Sequence, residues 1–73
     1  MISDHGVRTL YENTLRNGYN LEKDGKYQSA MSRYNDALEI AKSFEDNGCI
    51  NECSAIITHL NEKIKENENS LNF

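Results

Sequence analysis

The chain is 73 residues long and 37% hydrophobic, with 12 acidic against 8 basic side chains, a formal charge of −4 and a pI near 5.0. A chain of this length makes at most one domain with a small core, and a deep catalytic cleft would consume that core. The basic residues Arg8, Arg16, Lys23, Lys26, Arg33, Lys42, Lys63 and Lys65 stand singly or in pairs among carboxylates, which argues against free nucleic acid as a ligand, and no apolar run nears the roughly 18 residues of a membrane span.

There is no proline and there are only four glycines, too little punctuation for a set of short strands. The first periodic segment runs over 4–24. In it Val7, Leu10, Tyr11, Thr14, Leu15, Gly18 and Leu21 fall three and four apart and form one apolar stripe of a helix. Ser3 or Asp4 is its expected N-cap. Asp24-Gly25 follows as a helix stop, because glycine takes the left-handed conformation without a steric cost.

The second segment, 26–44, carries the clearest pattern. Tyr27, Ala30, Met31, Tyr34, Ala37, Leu38 and Ala41 again step by three and four, large and small residues alternating as a close helix–helix contact requires. Glu45-Asp46-Asn47-Gly48 reads as a turn punctuated by Gly48. A third helix is expected over 50–67, with Cys53, Ile56, Ile57, Leu60 and Ile64 as a narrow stripe, Asn51 or Ser54 as its cap, and a polar, fraying tail over 68–73. Short turns between three helices predict an all-α, antiparallel three-helix bundle, up-down-up, as a single domain over 1–73.

The run from Gly18 to Glu39 resembles a tetratricopeptide (TPR) helical hairpin: Gly18, Leu21, Gly25, Tyr27, Ala30, Tyr34, Ala37 and Leu38 match that family's pattern. The resemblance implies that Gly18 and Ala30 let two backbones approach while Tyr34 fills the groove between them. Thr14, Asn17 and Lys42 depart from it. The same run is similar to the microtubule-interacting and trafficking (MIT) domain, a stand-alone three-helix bundle, through Gly18, Glu22, Gly25, Ala30, Tyr34 and Leu38-Glu39; Leu60 and Lys63-Ile64 depart from that pattern. A solitary open repeat cannot bury its apolar face, so a closed three-helix module of one of these two types is expected, with a piece of a longer solenoid as the alternative.

No catalytic constellation is present. Cys49 and Cys53 lie one turn apart, and His59 is rotated about 240° from Cys53, so a four-ligand zinc site is not expected. The expected arrangement is one core thiol and one near the surface. His5 and His59 have no nucleophile in a recognisable motif beside them. No enzyme, no cofactor and no metal is therefore expected. Tyr11, Tyr27 and Tyr34 lie on core stripes, whereas Tyr19 falls off its stripe and is either incidentally exposed or part of a contact surface.

The expected function is non-catalytic: a protein–protein interaction module whose groove between helices two and three accepts a helical or extended peptide of a partner, as in the resembled families. Met31, Leu38, Ile57, Leu60 and Ile64 are its expected lining. The alternative is a self-associating homodimer that buries the same apolar surface as a structural or regulatory subunit. Residues 1–5 lack the basic start and apolar run of a signal peptide, and a cytoplasmic location with free thiols is expected.

Overall fold

The computed structural model describes the backbone of residues 4–71 and the side chains of residues 6–67. Three helices follow one another: α1 (Asp4–Lys23), α2 (Tyr27–Ser43) and α3 (Asn47–Leu71). This is the expected all-α three-helix bundle, with no strand among the described residues. The expected cap at Ser3 lies outside the described residues, as do the side chains of Asp4, His5 and 68–71 and all of 72–73, on which the expected fraying falls.

The α1–α2 turn is built as the sequence suggests. Lys26 N–H donates to the Leu21 carbonyl at 2.9 Å and Gly25 N–H to the Glu22 carbonyl at 3.0 Å, the two bonds of a Schellman stop. Gly25 sits at φ +80°, where a side chain would be strained. The second turn departs from expectation. Its left-handed residue is Glu45, at φ 54°, rather than Gly48, and α3 begins at Asn47. The cap is Asp46, not Asn51 or Ser54: its Oδ1 accepts the Cys49 N–H at 3.2 Å, and its carbonyl accepts from Ile50. A carboxylate at that position satisfies an orphan donor and favours the positive helix end, which carries the helix back through Gly48. The backbone bonds to Cys49 and then the Arg8 guanidinium hold the Asp46 carboxyl below its ordinary range, against some desolvation.

α2 is the central element. Ala30, Ala37 and Ala41 on it are fully buried, and Tyr34 nearly so. These small residues admit α1 and α3 from two sides. Tyr11, Ala37, Ala41 and Cys53 form one core cluster with Leu38, Phe44 and Ile57 packed against it. Ala30, Tyr34 and Leu60 form the other, bordered by Leu21, Tyr27, Met31 and Ile64. The complete burial of Leu60 contributes about 1.5–3 kcal/mol.

α1 and α3 both pack on α2, yet among the described residues no Cα of α1 comes within 8 Å of one in α3. Helices in contact lie 8–10 Å apart, so the three axes make an open angle with α2 at its vertex. The flattened outline of 52 × 21 × 13 Å agrees. The closed module expected from the resemblance is thus open between its first and last helices.

One close approach sets the α1–α2 distance. A Cβ added to Gly18 would fall 2.7 Å from Tyr34 Cε1 and 2.8 Å from Cδ1. Gly18→Ala is expected to lower stability, because overpacking of about 1–3 kcal/mol exceeds the gain of less than about 1 kcal/mol from replacing a helical glycine. Glu45→Gly is expected to do the reverse and raise Tm by a few degrees, since it removes left-handed strain of about 1–2 kcal/mol at a smaller entropic cost. Thermal and urea unfolding followed by helical circular dichroism checks both signs.

Candidate functional site

The open angle forms a groove of about 600 Å³ lined by Leu15, Arg16, Tyr19 and Glu22 of α1, Tyr34 of α2, and Ala55, Ile56 and His59 of α3. Helical phase explains the choice. Tyr11 and Gly18 point at α2, so Leu15 and Tyr19 fall on the side of α1 turned towards α3. On α3, Cys53, Leu60 and Ile57 take the α2 side, which leaves Ala55, Ile56 and His59 for the groove. The floor is the ring of Tyr34, which the lack of a side chain at Gly18 allows to lie against α1.

Two side-chain bridges frame this groove. At one end the Tyr11 hydroxyl lies 3.2 Å from both the Cys49 carbonyl and Glu52 Oε1, and it donates to either. At the other, Lys63 Nζ donates to Glu22 Oε2 at 3.0 Å, while the Tyr34 hydroxyl donates to Glu22 Oε1 at 2.8 Å. Both bridges join residues 41 apart in sequence, so α1 and α3 run parallel and in one register. The bridges are eleven residues apart on each helix, which is about 16 Å and three turns.

The electrostatics follow from these contacts. Burial alone would raise the Glu22 carboxyl, but the hydrogen bonds from Lys63 and Tyr34 and the nearby His59 outweigh it and hold it below its ordinary value. Tyr11 and Tyr34 are pushed up, first by burial and then by the neighbouring carboxylates Glu52 and Glu22 respectively. The Cys53 thiol is pushed up to about 11 by burial, then by Glu52 and Cys49, and burial followed by Asp46 raises Cys49 as well. Both thiols are free, Cys53 buried and Cys49 half-buried, and as neutral thiols they are poor nucleophiles and poor metal ligands. Among the described residues no three of His, Cys, Asp and Glu form a group that could hold a metal ion, and no helix is long and apolar enough to cross a membrane.

The lining expected between α2 and α3 is placed differently. Leu60 is fully buried, and Met31, Leu38, Ile57 and Ile64 are half-buried against the two core clusters. The hairpin residues, by contrast, come together. Gly18 and Tyr34 touch, Ala30 and Ala37 are buried, and Leu21, Tyr27 and Leu38 pack at the borders. The groove residues that sequence reasoning missed are Leu15, Arg16, Ala55 and Ile56, while Tyr19, 55% exposed and off its stripe, lines the groove and was the available signal, a contact surface being one of its two expected roles. The chain matches no protein-family model, no curated protein and no solved structure.

Glu22 supplies a pH dependence with a definite sign. Its folded value is depressed, so its contribution is complete above the ordinary carboxylate value and is lost as pH falls through the lower folded one. Glu22→Gln is expected to flatten the acid side of the stability profile, measured by urea midpoints between neutral pH and pH 3. Tyr34→Phe, which keeps the ring and removes one bond to that carboxylate, should cost about 1 kcal/mol at neutral pH.

Proposed function

We propose that this protein is a non-catalytic interaction module that binds a segment of a partner protein in the groove between α1 and α3. The observation that carries this reading is the groove itself. It has an aromatic floor in Tyr34, apolar walls from Leu15, Tyr19, Ala55 and Ile56, and three polar side chains, Arg16, Glu22 and His59, in its lining. Binding sites are characteristically concave, largely apolar and preformed, with a few polar groups that fix orientation. The half-exposed Tyr19 at the mouth is of the residue type enriched at such contacts. The hairpin resemblance to TPR and MIT domains, which bind partner segments in interhelical grooves, supports the same function. The groove differs from the one expected between α2 and α3 because Leu60 and its neighbours are used by the core.

A non-enzymatic role is supported by the state of the titratable groups. Glu22 is an ionised carboxylate held by two donors, Tyr34 is a neutral phenol, and the Cys53 thiol beside the Tyr34 carbonyl is buried and neutral. A second reading, self-association, is favoured by Leu10, which is 52% exposed. It stands nine residues from Tyr19, half a turn out of phase and thus on the opposite face of α1.

Position-specific photocrosslinking tests the proposal. A benzoylphenylalanine at position 19 is expected to capture a partner from an extract of the source cells. The same group at the exposed position 28 of α2 should not. Ala55→Arg, which fills the groove from an exposed helical site without touching the core, should reduce the capture at position 19 at least tenfold. Identical bands from positions 19 and 28, or capture unaffected by Ala55→Arg, would overturn the reading. A crosslinked species of twice the chain's mass from position 28 or position 10 would favour self-association.

A further inference from the structure

We infer that the open angle between α1 and α3 seats a fourth helix, an amphipathic segment of a partner protein whose apolar stripe is bordered by carboxylates on the side that meets α1. This rests on the groove-binding reading and adds to it the conformation and charge of the occupant.

The conformation follows from the packing. In a four-helix bundle each helix has two neighbours, and α2 already has both of its own. α1 and α3 each have one, and the faces they turn to one another are apolar, with Leu15, Tyr19, Ala55 and Ile56 uncovered between them. A helix laid there touches both and occupies the fourth corner. An extended segment would instead bring its own N–H and C=O groups against these side chains, which cannot answer them, whereas a helix satisfies its backbone internally. The framing bridges set the length: the three turns between Tyr11–Glu52 and Glu22–Lys63 match about eleven helical residues, enough for three or four apolar side chains on one stripe.

The charge follows from the rims. Arg8, Arg33, Lys42 and Lys63 each pair with a carboxylate, whereas among the described residues Arg16, Lys23, Lys26 and Lys65 have none within ion-pair distance, and of these four Arg16 lines the groove. Arg16 stands on the α1 wall and His59 faces it from α3. Lys23, resting 5.6 Å over the Tyr19 ring, extends the same α1 rim. Glu22, the one carboxylate lining the groove, is engaged by Tyr34 and Lys63. Although the protein carries a net charge of −4 and the Glu52 carboxylate stands at the Tyr11 end, the α1 wall of this mouth presents the cations Arg16 and Lys23. Carboxylates along the α1 side of an entering stripe meet these cations, while lysines there would meet Arg16 without compensation. A second copy is the poorer occupant, since two chains of the same net charge repel.

The test is a display selection on the full 73-residue chain. The library is a three-turn helical host with a fixed leucine stripe, and its flanking positions are randomised over acidic, basic and neutral polar residues. The Ala55→Arg variant, its fold checked by circular dichroism, serves for counter-selection. Flanks enriched in Asp and Glu are expected, with individual peptides binding at least tenfold more tightly than their lysine-flanked counterparts and losing that margin as salt is raised. Selection on Arg16→Glu is expected to shift the flanks towards Lys and Arg. Peptides that bind the groove with no flank preference, or with basic flanks, overturn the charge inference and leave the groove-binding reading intact. No enrichment over the Ala55→Arg variant overturns both. A dimer in light scattering that Ala55→Arg converts to a monomer overturns the inference in favour of a second copy as the occupant.

Discussion

The structure hangs on the contact between Gly18 and Tyr34. With no side chain at Gly18, the Tyr34 ring presses against α1 at a distance no Cβ would tolerate. That placement brings its hydroxyl to Glu22, and Glu22 in turn reaches Lys63. A single aromatic residue of α2 thus packs on α1, positions an α1 carboxylate, and through it ties down α3. Its buried Sγ neighbour repeats the theme on a smaller scale, for the Cys53 thiol donates to the Tyr34 carbonyl at 3.2 Å. The interactions share members, so losing one changes the geometry of the rest.

The same contact has a second effect. A ring that fills the space between α1 and α2 leaves its outer surface as a floor, and α1 and α3 stand on either side as walls. In a chain this small, side chains that close the core on one side are not available to close the other. Leu60, Ile57 and Ile64 are spent on the α2–α3 contact, and the α1–α3 contact is left to two polar bridges. Polar bridges across a gap hold its walls apart as well as together, and they keep the apolar surface between them accessible.

Much of the fold was legible in the residues. Spacings of three and four located all three helices, Gly25 located the first turn, and the Gly18, Ala30, Tyr34 and Ala37 set described the hairpin contact as it occurs. Two features were not legible. The start of α3 depends on Asp46 as a cap, and local periodicity counts only apolar positions, so the polar turn Asn47-Gly48 read as a break. The site was displaced for a related reason. A stripe shows which face of a helix is buried but not which two of its neighbours bury it, and among the described residues α1 reaches α3 through hydrogen bonds spanning 38 to 41 residues. Leu60 lies on an apolar stripe that the core consumes, while Tyr19, outside every stripe, faces the groove between α1 and α3.

The matched register of the two bridges bears on how such a sequence can vary. Because Tyr11 and Glu22 both meet α3 at an offset of 41, the number of residues between them and their partners behaves as a fixed quantity. Adding or deleting one residue within α2 or at the start of α3 would rotate everything beyond it by about 100°, turning Glu52, Ile56, His59 and Lys63 off the groove together. Surface loops usually absorb length changes at little cost, but here the turns are too short to do so. Homologues are therefore expected to keep the interval from Tyr11 to Lys63 free of insertions while the residues outside it drift in both length and sequence.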